Sequence, residues 1–288
     1  MKRIIAFSLL LLIFFSAAAE NLKVVSYNIR LLPGEDGENS WEFRKEASTA
    51  MVNEVKPDVM GMQEAFREQL DFLLNGCKDY EIIGVGRDDG ISEGEHMSIA
   101  YNKEKVILHK WGTYWLSETP DVPSFGWDAA CRRTATWALF EMKESGRKFY
   151  MVNTHLDHKG KIARKEGLAM VFRRIKEMNT ENYPMILTGD LNVLPDNPCL
   201  GEINTIMQNA RFHADYADTK GSFNGFGKYG SSAGAPDLGE KPKMSLRPID
   251  YIYYRGMSEC LTFKVLSESY ANKAYISDHY PILAEFTF

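Results

Sequence analysis

The feature that most narrows the fold is a succession of short apolar, β-branched segments that run into polar or ionisable side chains. Residues 22–29 end around Asn28, and residues 58–62 run on to Glu64. Residues 149–154 lead to His155, and residues 184–188 to Asp190 and Asn192. Asp250 lies inside 248–254, and Asp278 and His279 stand just before 281–288. Further strands are predicted at 81–85, 97–101, 134–142 and 261–266. Helical periodicity falls between them. Phe43, Ala47, Met51 and Val55 recur at every fourth position and stop before Pro57, and Phe66, Leu70, Phe72, Leu73 and Leu74 form a second apolar face. Residues 161–178 carry Ile162, Leu168, Ala169, Phe172 and Ile175 on one side and basic residues on the other. Strands interspersed with helices, without an internal repeat or linker, predict sheets covered by helices in one layered α/β domain.

Taken singly, the strand-end residues have ordinary readings. Asn28 fits a turn, Glu64 a helix start, Asp190 to Asn192 an Asx-turn, and a histidine after a strand a hydrogen-bonded loop residue. Taken together they point to one rim, because strands that end on the same side of a sheet bring their last side chains together. Several carboxylates at close range cannot all stay ionised without a cation. The set is rich in oxygen and lacks cysteine, so Mg²⁺, Mn²⁺ or Ca²⁺ suits it better than zinc. Two histidines beside such a cluster supply proton transfer and hydrogen bonds to a charged phosphate.

The segments SYNIR, MQE, THLD, TGDLN, IDYI and SDHYP, in that order, resemble the endonuclease/exonuclease/phosphatase superfamily over nearly the whole chain. The resemblance implies a DNase I-like, four-layer α-β-β-α sandwich, two mixed β-sheets packed face to face with helices outside. The intervening LSETP, the Trp-rich stretch and RTATW are most similar to secreted bacterial members. The implied roles put Asn28, Glu64 and Asp278 at the metal, with Glu64 the main ligand. Asp190 orients or deprotonates the attacking water and Asn192 positions the phosphate. His155 donates to a non-bridging phosphate oxygen and is paired with Glu95. His279 acts in proton transfer with Asp250 fixing its tautomer, and Arg133, or Arg132 if the register differs by one, approaches the phosphate. His96 has no clear counterpart and reads as surface or supporting.

The activity implied is metal-dependent phosphoester hydrolysis, nuclease-like or directed at phospholipid headgroups, inositol phosphates or sugar phosphates. A binder of phosphorylated ligands without turnover is the rival from another class. The substrate would be a phosphate ester, and no obligate protein partner is indicated.

Lys2 and Arg3, an apolar run at 4–15 and Ser16 to Ala19 form the pattern of a cleaved signal peptide over residues 1–19, leaving a domain of residues 20–288 that is secreted or periplasmic. No later segment is long and apolar enough to span a membrane. The formal charge of −5 argues against tight nonspecific binding to long nucleic acid, though not against a phosphate held by a metal. Cys77, Cys131, Cys199 and Cys260 are too scattered for a zinc site and read as free thiols or disulfides. Trp115, Trp127 and the aromatics Phe223, Phe226 and Tyr229 of a glycine-rich loop are either core residues or substrate contacts. The basic run from Lys159 to Lys176 is either a solvated helix face or a polyanion contact.

Overall fold

The computed structural model describes residues 20–228 and 247–288. The expected leader, residues 1–19, and Tyr229 lie outside them. Strands β1 (Asn21–Asn28), β2 (Val59–Ala65), β3 (Tyr80–Ile83) and β4 (His96–Asn102) are followed by β5 (Val106–Trp115), β6 (Thr134–Met142) and β7 (Lys148–His155). The chain continues through β8 (Met185–Asp190), β9 (Gln208–Asn209), β10 (Tyr216–Ala217), β11 (Asp250–Arg255), β12 (Glu259–Val265) and β13 (Ile282–Thr287). The long helices are α1 (Trp41–Val55), α2 (Arg67–Gly76) and α3 (Lys161–Met178). One sheet has seven strands in the order β10-β12-β13-β1-β2-β4-β3, and the other has six in the order β5-β6-β7-β8-β11-β9. Both are mixed, since β1 runs parallel to β2 and β7 parallel to β8 amid antiparallel neighbours.

Period-two alternation assigns each side chain to a layer. Val24 points between the sheets with Phe140, Phe149, Ile186, Phe263 and Phe286, while its neighbour Val25 packs under α1 and α2 with Met51, Met60 and Leu70. On the far side, Val152 and Leu187 meet Leu168, Val171 and Ile175 of α3. The central strands are therefore buried on both faces, which explains their continuous apolar runs. Each fully buried large side chain contributes about 1.5–3 kcal/mol. This is the expected four-layer sandwich.

Local departures have physical reasons. Strand β5 escapes the sequence reading because it lies at a sheet edge, and His109, Lys110 and Trp111 are exposed along it. In α1 the buried stripe is Arg44, Ala47, Ser48, Met51 and Val52, whereas Phe43 is exposed. An arginine inside the stripe shifts the apparent periodicity by one position. Ile162 of α3 is likewise exposed, while the basic residues of α3 are exposed or half-buried. The four cysteines are free. Trp115 is buried and donates its indole N–H to Arg87 O at 2.7 Å, so it braces a loop and does not offer a stacking surface. Among the described residues no helix is long and apolar enough to cross a membrane.

Candidate active site

Register builds half of the site. His155 pairs with Asp190 across β7 and β8, and Asp190 pairs with Asp250 across β8 and β11. These side chains stand abreast on one rim, about 4.8 Å apart along the sheet. The facing sheet supplies Asn28 at the end of β1, Glu64 near the end of β2, and Asp278 and His279 just before β13. A cleft of about 430 Å³ is lined by Glu64, Glu95, Arg133, His155, Asp190, Asn192, Asp278 and His279. Asn28 and Asp250 lie immediately beneath, each buried. The structure thus brings together all the site residues named from the sequence.

Asp190 is the hub. Its Oδ2 lies 3.1 Å from Asn28 Nδ2, 3.5 Å from His155 Nε2 and 3.8 Å from His279 Nε2. Its Oδ1 accepts the Asn192 N–H at 2.9 Å, so the Asx-turn and site readings hold at once. Burial, then the nearby Asp250, push Asp190 up to about 7, against the opposing charge of His279. His279 donates from Nδ1 to Asp250 Oδ2 at 2.8 Å. Burial alone would lower the His279 pKa, but Asp250 and Asp190 outweigh it and raise it to about 10. His155 goes the other way, held well below the usual range by burial and then by Arg133, Arg87 and His279. Two histidines in one cleft thus take opposite protonation states. Asn192 Nδ2 donates to Leu156 O at 3.0 Å and to His155 Nε2 at 2.9 Å. The neutral His155 therefore carries its hydrogen on Nδ1, which has no hydrogen-bond partner among the described residues.

One expected partnership is corrected. Glu95 pairs with Arg87 Nη1 at 2.7 Å and not with His155, since a guanidinium is the stronger partner for a carboxylate raised by burial. Asn28 turns Nδ2 toward Glu64 Oε1, at 3.0 Å, and Asp190, because its Oδ1 is held by the Arg30 N–H at 3.1 Å. In this arrangement it bridges two carboxylates and does not offer them its oxygen. Glu64 is also fastened by the Leu31 N–H, at 3.0 Å. Both Glu64 (φ 62°) and Asn192 (φ 54°) hold left-handed backbone that costs non-glycine residues about 1–3 kcal/mol, a strain common at functional sites. At Glu64 it accompanies a register shift between β2 and β4 that swings the side chain to the rim.

The donor set fits a hard divalent cation. Ligand atoms of Glu64, His155 and Asp190 lie within 4.8 Å of one another. Asp278 is raised by burial, with Glu64 adding to the effect and His279 and Arg30 opposing it. Arg30 Nη1 lies 3.6 Å from Asp278. A cation here would offset the burial and the repulsion that raise Asp190 and Asp278.

One contributor, Asp157, carries no distinguishing signal in the sequence. Asp157 accepts backbone N–H bonds from Ala130, Cys131, Lys159 and Gly160 at 2.7–3.2 Å and an Arg133 Nε bond at 3.4 Å. It binds two loops together and sets Arg133, whose Nη2 donates to His158 Nδ1 at 3.1 Å. Arg132 instead salt-bridges Asp88 at 3.2 Å, so of these two neighbours it is Arg133 that lines the cleft. Phe223 packs edge-on against His279, with ring centroids 4.9 Å apart. His96, expected at the surface or in support, is buried in β4 with Nδ1 at Gly94 O. Burial raises the Asp157 pKa, but its N–H donors outweigh that and hold it near 2, below the ordinary 3.8. Asp157→Asn is expected to cost about 2–4 kcal/mol at neutral pH, as carboxylate acceptors become donors facing donors. A depressed folded pKa contributes stability above the unfolded value and loses it below the folded one. In urea titrations the gap between the two proteins should close from about pH 4 to pH 2. A gap constant across that range would remove Asp157 as the clamp.

A sequence model of the endonuclease/exonuclease/phosphatase family matches residues 25–279. An endonuclease/exonuclease/phosphatase family protein from Bacteroides thetaiotaomicron superposes with a TM-score of 0.83 at 35% identity, over 94% of this chain and 98% of that one. A mannosyl-6-phosphatase from Bacteroides thetaiotaomicron VPI-5482 does so with a TM-score of 0.82 at 35% identity, over 93% of this chain and 100% of that one. Nocturnin of Drosophila melanogaster is 23% identical over 280 residues, 86% of this chain and 42% of that protein. The matches span between 41% and 59% of the length of the curated relatives.

Proposed function

The chain belongs to the endonuclease/exonuclease/phosphatase family, and from that membership we propose that it is a divalent-metal-dependent phosphoester hydrolase acting on a small sugar phosphate. The observation that carries the reading is the register that sets His155, Asp190 and Asp250 abreast, opposite Glu64 and His279. Glu64 and Asp278 would hold Mg²⁺ or Mn²⁺, with Ca²⁺ a further candidate. When bound, such an ion supplies charge stabilisation at the phosphoryl oxygens.

The chain's own groups divide the remaining work. Asp190, poised near neutrality, takes the proton of the attacking water at a carboxylate oxygen. His279, kept protonated by Asp250, stabilises the charge developing on the phosphoryl group through Nε2–H and gives that proton to the ester oxygen as its bond to phosphorus breaks. Asn192 and Arg133 supply donors to the phosphate oxygens. His155 stays neutral and orients Asn192, a different duty from the direct donation implied by resemblance.

Substrate choice rests on the relative named for its action on a mannosyl phosphate, which is 35% identical over nearly all of this chain. The matches to the TDP2 and Nocturnin structures fall below 25% identity and bear on the fold alone. The pattern of residues 1–19 adds that the enzyme works after export.

The test is phosphate release by the purified protein from mannose 6-phosphate, glucose 6-phosphate and an inositol phosphate, beside single-stranded DNA, RNA, sphingomyelin and a chromogenic phosphodiester. Release from a hexose phosphate with Mg²⁺ or Mn²⁺, lost on adding EDTA, is the expected result. Cleavage of a diester or nucleic acid with the sugar phosphates untouched would replace the substrate assignment. Turnover that survives exhaustive chelation would remove the metal.

A further inference from the structure

Immediately below the rim the two sheets are joined by a polar layer where the pattern of the strands calls for apolar core. In β7, Met151 belongs to the inter-sheet core, Asn153 to this layer and His155 to the rim, at steps of two residues. The same ascent repeats as Ile186, Thr188 and Asp190 in β8 and as Val24, Ser26 and Asn28 in β1. A strand places residues i, i+2 and i+4 on one face, so each layer residue stands directly beneath a residue of the site.

Asn153 is the centre of this layer. Its Nδ2 donates to Met62 O at 2.7 Å and to Ser98 O at 2.9 Å. Its Oδ1 accepts from Gln63 Nε2 at 2.6 Å and from Thr188 Oγ1 at 3.1 Å. Both amide hydrogens and both carbonyl lone pairs are thereby used, in a residue with no solvent exposure. Three of these partners, Met62, Gln63 and Ser98, belong to the opposite sheet. Gln63 Nε2 extends the connection to Ser26 Oγ at 3.2 Å. The fit is close: a Cβ on Gly61 of β2 would lie 2.1 Å from Thr188 Oγ1 and 2.6 Å from Asn153 Oδ1.

Apolar contacts between sheets are non-directional and tolerate small sliding, whereas a satisfied hydrogen-bond set has one geometry. Glu64, Asp278 and Asn28 come from one sheet, and His155, Asp190 and Asp250 from the other. We infer that Asn153 is a positioning residue that locks the two halves of the active site at their working separation through the polar layer between the sheets. The inference rests on the phosphoester-hydrolase reading of the cleft, but its consequence for metal binding can be read without turnover.

The experiment compares Asn153→Leu, close in size but unable to hydrogen-bond, with Phe140→Leu, a substitution in the apolar layer of the same sheet. Both are studied well below their melting temperatures, after circular dichroism has established the folded fraction. Asn153→Leu is expected to lower kcat by about 10²-fold with KM little changed, as displacement by about 1 Å does in enzymes. Calorimetric titration with Mn²⁺ alone is expected to show affinity weakened by about 10–100-fold. Phe140→Leu should keep both values near wild type, whatever its loss in melting temperature. If Asn153→Leu does not fold, Thr188→Val carries the test by removing one donor at nearly constant shape, with smaller losses in the same two readouts. Equal kcat and Mn²⁺ affinity in the polar-layer and apolar-layer variants, at matched folded fraction, would overturn the inference. Should the wild type bind Mn²⁺ but hydrolyse no phosphoester, the proposed function fails while the Mn²⁺ comparison still decides the role of Asn153.

Discussion

His279→Gln is expected to lower kcat by about 10²–10⁴-fold, the range that a positioned proton-transfer group supplies. Glutamine is the informative replacement because it can still donate to Asp250, whose Oδ2 receives the imidazole at 2.8 Å and whose Oδ1 has no partner among the described residues. Alanine would leave that buried carboxylate unpaired and mix a folding defect of several kcal/mol into the result. The pH profile separates the roles. The working form has Asp190 ionised and His279 protonated, so activity should rise as pH passes the raised Asp190 pKa, about 7, and fall as His279 deprotonates near 10. A cation among the carboxylates moves the acid limb downward. In His279→Gln the alkaline limb should vanish, and the acid limb should shift upward because Asp190 loses a neighbouring positive charge. A variant that keeps the wild-type alkaline limb in kcat/KM would take His279 out of the chemistry.

Arg44→Met should produce the largest loss of stability, about 3–5 kcal/mol. The Arg44 guanidinium is fully buried and donates only to backbone carbonyls among its direct hydrogen bonds: Asn39 O at 2.6 Å, Ile29 O at 2.7 Å, Ile276 O at 2.8 Å and Arg30 O at 3.4 Å. Burial lowers its pKa, which records the cost of holding the charge there. Removing the charge recovers that desolvation but strips Asn39 O and Ile29 O of the side-chain donor and leaves Ile276 O and Arg30 O with Tyr27 and Gln69 alone, and the second effect is expected to win. The carbonyls belong to the segments that carry Asn28 and Arg30 on one side and Asp278 and His279 on the other. The loss should therefore reach activity as well. Equilibrium urea unfolding measures the change, and Arg44→Lys should recover only part of it, since an ammonium cannot span the same carbonyls. A difference under about 0.5 kcal/mol, the range of ordinary surface substitutions, would mean that the carbonyls find other partners.

Arg44 also marks where sequence reasoning reached its limit. A charged residue within a helical pattern reads as solvent-facing, which places the stripe on Phe43, yet Phe43 is exposed. Asn153 carries no local signal, because its four partners come from segments 35 to 91 residues away in the chain. Asp157 beside His155 has no distinguishing local signal, although it clamps Arg133 at the cleft. Strand β5 was missed because an edge strand buries too little to keep a clean alternation. By contrast, β1, β7, β8 and α3 were legible, as their patterns arise from local periodicity and burial on defined faces.

By itself the sequence determined the layered α/β class, the order of most strands, and the residues that gather on one rim. Those follow from strand period, from apolar runs, and from polar side chains placed where strands end. Only the tertiary structure decided which partners those residues take. It gave Glu95 to Arg87, turned the Asn28 amide nitrogen inward, and set His155 neutral beside a protonated His279. Protonation and pairing depend on burial and on charges a few ångströms away, contributed by both sheets. Such distances exist only once the sheets have packed.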